Sequence, residues 1–198
     1  MKVLGKGSIA SWLEIALNVL GVLLWIALGG VVLGAIAYAV VMGLIAGGVL
    51  PIELLKGGEG EISVGGANGR FNTDGGMAWQ IVAPALTAAA VGVSGGLIIV
   101  NRLKRLFSSF RSAEPFRKEN ATHLRVIWLT MMTIELSRYA LLALTGVLVA
   151  AFGKPAGTDW TFKLNINLMA WAAILILIVL AEVFREGARL REEQDLTI

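Results

Sequence analysis

From Ile15 to Ile52 the chain carries no acidic or basic residue. A helix needs about 20 apolar residues to cross a bilayer, at about 1.5 Å of rise each, and this run is longer than that. Three more uncharged, apolar runs follow it. Only 16% of the residues are charged, 57% are hydrophobic, and the mean hydropathy is +0.76. Soluble domains carry roughly 25% charged residues, so there is too little polar sequence here to cover a soluble fold. The reading is an all-α integral membrane protein, residues 1–198 forming one membrane domain with four transmembrane helices and a small extracytoplasmic β-hairpin cap.

The expected spans are about residues 19–49, 77–100, 126–152 and 164–184, with no internal repeat. Ser8 to Asn18 reads as an interfacial lead-in, with Ser11 and Glu14 at capping-box spacing. Lys2 and Lys6 followed by apolar residues and the small residues of "AIAYA" invite comparison with a cleaved signal peptide. The apolar stretch continues beyond that point, unlike a short signal core, so the first helix is expected to stay.

Lys and Arg set the orientation. Residues 101–125 hold Arg102, Lys104, Arg105, Arg111, Arg117, Lys118 and Arg125; the N-terminus adds Lys2 and Lys6, and the tail, 185–198, adds Arg185, Arg189 and Arg191. The other two loops have only Lys56, Arg70, Lys154 and Lys163. Positive charge collects on the cytoplasmic side. Both termini and the middle loop, 101–125, are therefore expected in the cytoplasm of a bacterial-type inner membrane. The net charge of +3 reports this topology rather than direct contact with nucleic acid.

On the opposite side, "GEGEISVGGANGRFNTDGG" has two alternating runs around "GGANG", a hairpin signal, and "DWTFKLNIN" offers a third strand. Such a cap is a sensor or docking surface on one reading. The plainer and preferred reading is a glycine-rich cover for helix ends.

Little in the chain suggests catalysis. It has no Cys and one His, His123, which excludes disulfides, Cys-based zinc sites and a multi-histidine site. No nucleophile–base pair, phosphate loop or paired metal ligands stand at helical spacing, so neither an enzyme nor a cofactor is expected. Met131 and Met132 read as packing residues. The exception is "TIELSRYALL", where Glu135 and Arg138 share one face of the third span, roughly 15–20 Å in from Arg125 at about 1.5 Å per residue. Ionisable groups at that depth pair with each other or face a water pocket. A self-neutralising pair that pins helix packing is preferred over a proton or ion relay.

Small residues recur at four-residue steps: Gly30 and Gly34, Gly43 and Gly47, and Ala88, Gly92 and Gly96. These steps allow close helix approach in a bilayer, within one chain or between copies. After the fourth span the helix is expected to continue as "AEVFREGARLREEQDLTI". Glu186 with Arg189, and Arg189 with Glu192 or Glu193, are helix neighbours of opposite sign, and Leu180, Val183 or Phe184, Gly187 and Leu190 form an apolar stripe. A solvated exit helix needs fewer charges than this. The interleaved signs, ending in Leu196 and Ile198, suit a helix docked on a defined surface.

That closing segment, with Phe184, Arg185, Glu186, Gly187, Leu190, Glu193, Gln194, Asp195 and Leu196, resembles the end of a bacterial four-helix membrane family, domain of unknown function 2975. "EPFRKENATHLRVIWL" resembles the middle motif of the same family, with Pro115, Phe116, Glu119, Asn120, Leu124 and Arg125 in place. The first half of the chain matches in layout only. The resemblance implies four membrane helices without assigned catalytic residues, and genes that often neighbour one for a small helix-turn-helix regulator of the Cro/CI type. By association, a membrane protein that binds such a regulator is the leading expectation. A structural or accessory subunit of a larger membrane complex is the second, and a small transporter or ion pathway using Glu135 and Arg138 is the third. Membrane lipid is a certain neighbour, and a homo-oligomer is compatible with the small-residue faces.

Overall fold

A computed structural model of the chain describes residues 9–51, 59–64, 67–72, 79–111, 118–153, 158–161 and 166–195. Four helices dominate it: α1 (Ile9–Ala46), α2 (Trp79–Arg111), α3 (Lys118–Phe152) and α4 (Leu168–Asp195). All four are long and apolar enough to cross a membrane. Strands β1 (Glu59–Val64), β2 (Ala67–Asn72) and β3 (Thr158–Thr161) make a three-stranded antiparallel sheet in the order β1-β2-β3. Val64 stands opposite Ala67, and Phe71 opposite Thr158.

The helix bounds differ from the expected spans, because a helix need not end where the bilayer does. Residues 9–18, expected as a separate lead-in, belong to α1 without a break. α1 stops at Ala46, short of Val49. Gly48 takes a left-handed conformation there (φ 70°), and the amides of Val49 and Leu50 donate back to the Leu44 carbonyl. Gly153 (φ 85°) follows α3 in the same way. At the start of α4, the Asn167 side chain accepts from the Ala170 amide at 3.1 Å, which fixes the first turn after Leu168 rather than at Leu164.

The largest correction concerns the expected loop 101–125. Residues 101–111 are the end of α2 and residues 118–125 the start of α3. Charge marks where the chain leaves the apolar medium, while hydrogen bonding continues the helix past that point. The six residues between, with Pro115 and Phe116, lie outside the described residues.

Two compact units divide the chain: residues 1–26, 93–134 and 167–198 form one, and residues 27–92 and 135–166 the other. In the first, Leu106, Leu124 and Ala181 form a buried cluster, with Trp128, Leu177 and Phe184 packed against it. In the second, Ile81, Leu142 and Val149 cluster, and the Trp79 and Phe152 rings meet edge to face at 5.1 Å. Threonines inside the apolar helices satisfy their own hydroxyls: Thr130, Thr133 and Thr145 each donate to the carbonyl four residues back, at 2.7–2.9 Å. That local solution suits a medium without water.

Candidate functional site

The described part of the middle motif is the first two turns of α3. Glu119 is exposed in the first turn, where a carboxylate meets the positive end of the helix dipole. Asn120 points the other way and is 1% exposed; its Nδ2 donates to Ser109 Oγ of α2 at 2.8 Å. An amide that deeply buried must be hydrogen-bonded, and this bond ties the end of α2 to the start of α3. Leu124 and Ile127 continue the inward face. On a neighbouring face, Arg102 Nη1 lies 3.4 Å from His123 Nδ1.

The closing motif is the second half of α4. Ile174 and Ala181 are buried, Leu177 and Phe184 pack on the cluster of the first unit, and Ala188 is 3% exposed. Their spacing of three and four residues is a coiled-coil seam. The expected stripe is divided between two faces of the helix. Phe184 belongs to the inward face and Gly187 is half-buried beside it, but Leu180, Val183 and Leu190 are exposed. In a membrane helix the outer face is as apolar as the inner one, and here the small side chains mark the packed side.

The two motifs meet. Between α3 and α4 lies a groove of about 690 Å³, lined on one wall by Lys118, Thr122, Arg125 and Trp128 and on the other by Ile178, Glu182, Arg185, Glu186, Arg189 and Glu192. Lys118 Nζ reaches across to Glu192 Oε1 at 2.6 Å. The remaining pairs run along α4: Arg185 with Glu182 at 2.5 Å, and Arg189 with Glu186 at 2.7 Å and with Glu193 at 3.5 Å. These are the expected helix neighbours, except that Glu192 turns to Lys118. Arg125 lines the groove, is exposed, and has no ion pair among the described residues. No side chain of Gln194 or Asp195 is described, and Leu196 lies outside the described residues.

A family model described as a protein of unknown function, DUF2975, matches residues 73–198. The chain belongs to the DUF2975 family. The match takes in α2, α3 and α4 and so the whole groove, and it leaves α1 outside. No curated protein and no solved structure matches the chain.

In this DUF2975 protein the second charged feature is local to α3. Arg138 Nη2 sits 2.8 Å from Glu135 Oε2 and donates to the Tyr139 hydroxyl at 3.0 Å. The guanidinium carbon lies 4.8 Å from the centroid of the same ring, within cation–π range. The two side chains are only 13% and 22% exposed. Tyr139 escaped sequence reasoning because adjacent helical residues do not normally face each other.

The expected packing glycines divide. A Cβ on Gly30, Gly34, Gly43 or Gly92 would meet nothing within 4 Å. Gly47 lies just beyond α1, in its terminating turn. A Cβ on Gly96 would stand 3.4 Å from Leu24 of α1. The tightest approach is at Gly95, where a Cβ would stand 2.5 Å from Ile134 Cδ1 and 3.3 Å from Thr130 Cγ2. Gly21 is a notch for Lys104 of α2, whose Nζ would be 3.0 Å from a Cβ there. Three neighbouring glycines at 92, 95 and 96 were the available signal for Gly95, which the four-residue step passes over.

Proposed function

We propose that this DUF2975 protein is a regulatory or accessory protein of the bacterial inner membrane, which engages a small helix-turn-helix regulator of the Cro/CI type at its cytoplasmic face. The single observation that carries the reading is the convergence of the two family motifs on one groove. In a multi-pass membrane protein, such a charged surface built from distant segments suits recognition better than anchoring. The basic residues of the N-terminus, of residues 101–125 and of the tail all fall in the first compact unit, and the positive-inside rule assigns that side to the cytoplasm. The sheet of β1, β2 and β3 then becomes an extracytoplasmic cover. The partner-facing surface is the outer side of the α4 extension, where Leu190, Arg191 and Glu193 are exposed, continuous with the groove edge at Arg189.

A specific observation also favours the subunit reading. Gly30 and Gly34 of α1 have open space about them, a face that a second membrane helix would fill. An ion pathway gains less support, because Glu135 and Arg138 are closed on each other and on Tyr139.

Two measurements test the proposal. The chain has no native Cys, so introduced cysteines report cleanly. Ser109 is tied to Asn120, which makes the exposed Ser108 the better probe. In intact cells Ser108→Cys should be shielded from an impermeant thiol reagent and Ser63→Cys labelled; the reverse pattern overturns the cytoplasmic assignment. Purification from native membranes in mild detergent should then carry along a DNA-binding protein. Recovery of membrane subunits alone would favour the second reading.

A further inference from the structure

The ion pairs of the groove leave a remainder. Glu182 is paired with Arg185, Glu186 with Arg189, and Glu192 with Lys118. Arg125 is the fourth base on the walls, and among the described residues it meets no acid. Among the described residues the groove thus offers one guanidinium without an acid partner, with five N–H donors fixed in a planar fork. Its other end is different. Trp128 lies about one turn further along α3 from Arg125, and Ile178 one turn back along α4 from Glu182. Both line the same groove, and both stand on the side of the uncharged stretches of their helices. The groove therefore passes from charged to apolar in one direction on both walls. Leu129 and Ile178 are exposed beside it, so this flank faces lipid in a membrane.

We propose that the groove seats an anionic phospholipid of the surrounding bilayer, its phosphate on Arg125 and an acyl chain along Trp128 and Ile178. An occupant must satisfy a cation at one end and cover apolar surface at the other, and a phospholipid has both in the required order. Guanidinium–phosphate contacts are charge-assisted and commonly bidentate. Basic pockets between membrane helices at the aqueous boundary are recurrent sites for anionic headgroups, and about 690 Å³ falls in the usual range for small-molecule sites. Trp128, one turn from the cationic end of the groove, is a residue type enriched at the membrane–water interface. The inference rests on the helices spanning a bilayer and not on the regulator. Reversed topology would move the lipid to the other leaflet without removing it.

The test uses the full-length chain purified in mild detergent and offered equal amounts of phosphatidylglycerol and phosphatidylcholine, with retained lipid counted by native mass spectrometry. The wild type should retain several-fold more phosphatidylglycerol. Arg125→Gln should lose that preference, and Arg125→Lys should keep part of it. A second arm uses phosphatidylglycerol brominated on its acyl chains, which should quench tryptophan emission in the wild type more than brominated phosphatidylcholine does. That excess should vanish in Trp128→Phe. Three results would overturn the proposal: full lipid preference in Arg125→Gln, displacement of the lipid by inorganic phosphate at equal concentration, or an excess quench that survives Trp128→Phe. An Arg125→Gln protein that keeps its lipid but sheds a copurifying polypeptide would assign Arg125 to a protein partner, and overturns it equally. A native-membrane purification that yields no regulator would defeat the functional proposal while leaving each of these outcomes readable.

Discussion

The Glu135–Arg138 pair and the α3–α4 groove are both made of acids and bases at helix spacing, yet they solve opposite problems. Glu135 and Arg138 sit in the middle of an apolar helix, three residues apart, with Tyr139 closing over the guanidinium. Charge in an apolar medium is costly unless paired, so each carries its counter-charge on the same helix. The buried Arg138 Nε and Glu135 Oε2 still lack a hydrogen-bond partner among the described residues. At the groove, both members of the Lys118–Glu192 pair are more than half exposed. Water shares the solvation, each pair contributes little, and among the described residues one base, Arg125, stands without an acid at no great cost. A charge that the protein must neutralise itself is structural by default, whereas one it can leave unneutralised is available for recognition.

The largest expected effect tests the closed half of that contrast. Glu135→Gln or Arg138→Gln alone should cost about 3–5 kcal/mol, because the partner becomes an uncompensated buried charge. The double substitution should regain most of the loss in reversible unfolding in detergent. If the double variant is as unstable as either single one, the two residues do not answer to each other. If it regains stability while a proton flux in proteoliposomes disappears, the pair is a relay.

Next come the contacts that hold the groove's own unit together. Gly95→Ala places a methyl 2.5 Å from Ile134 Cδ1. Overpacking of this kind typically costs about 1–3 kcal/mol, and Ile134→Ala in the same chain should relieve it. Gly92→Ala, with open space around it, should be neutral or slightly stabilising, since Ala is the better helix former. Equal effects at 92 and 95 would mean that the α2–α3 approach is looser than described. Asn120→Ala should cost about 1–2 kcal/mol by leaving Ser109 with less than its full set of partners. Amide exchange should then rise at the start of α3 more than in its apolar middle.

The sequence made some of this legible and hid the rest for identifiable reasons. Four apolar runs and the asymmetry of Lys and Arg stand out because membrane length and aqueous charge leave large signals. Glu135 with Arg138 was readable because two ionisable residues in an apolar helix have few ways to be satisfied. The phase of α4 was not readable. Leu180, Val183 and Leu190 are as apolar as Ile174 and Leu177, and a membrane helix is greasy on every side, so periodicity does not mark the packed face. Ala181 and Ala188, the residues that let α4 approach its neighbours, carry almost no hydropathy contrast. Residues 101–125 stood out as the segment between two spans for the complementary reason: charge marks the segment, but not how far α2 and α3 run into it. The groove itself needed coordinates, since Arg125 and Arg185 are brought together by two separate helices.

The smallest effect on stability belongs to the tail, and it is the sharpest probe of the open half of the comparison. Exchanging Arg185 with Glu186 and Arg189 with Glu193 keeps composition and net charge. It breaks the pairs of Arg185 with Glu182 and of Arg189 with Glu186, but exposed pairs of this type contribute roughly 0.2–1 kcal/mol at most, and new helix neighbours form in their place. The exchanged chain should insert, purify and melt within about 0.5 kcal/mol of the wild type. Lys118 and Glu192 are untouched, and so is the inward seam of Phe184 and Ala188. An interfacial anchor reads net charge and apolar area and would tolerate the exchange; a surface that recognises a partner reads the position of each charge. Loss of the copurifying protein with stability unchanged is therefore the expected outcome. Retention of that protein would place recognition elsewhere on the chain and return the exposed side of α4 to the role of a solvated exit helix.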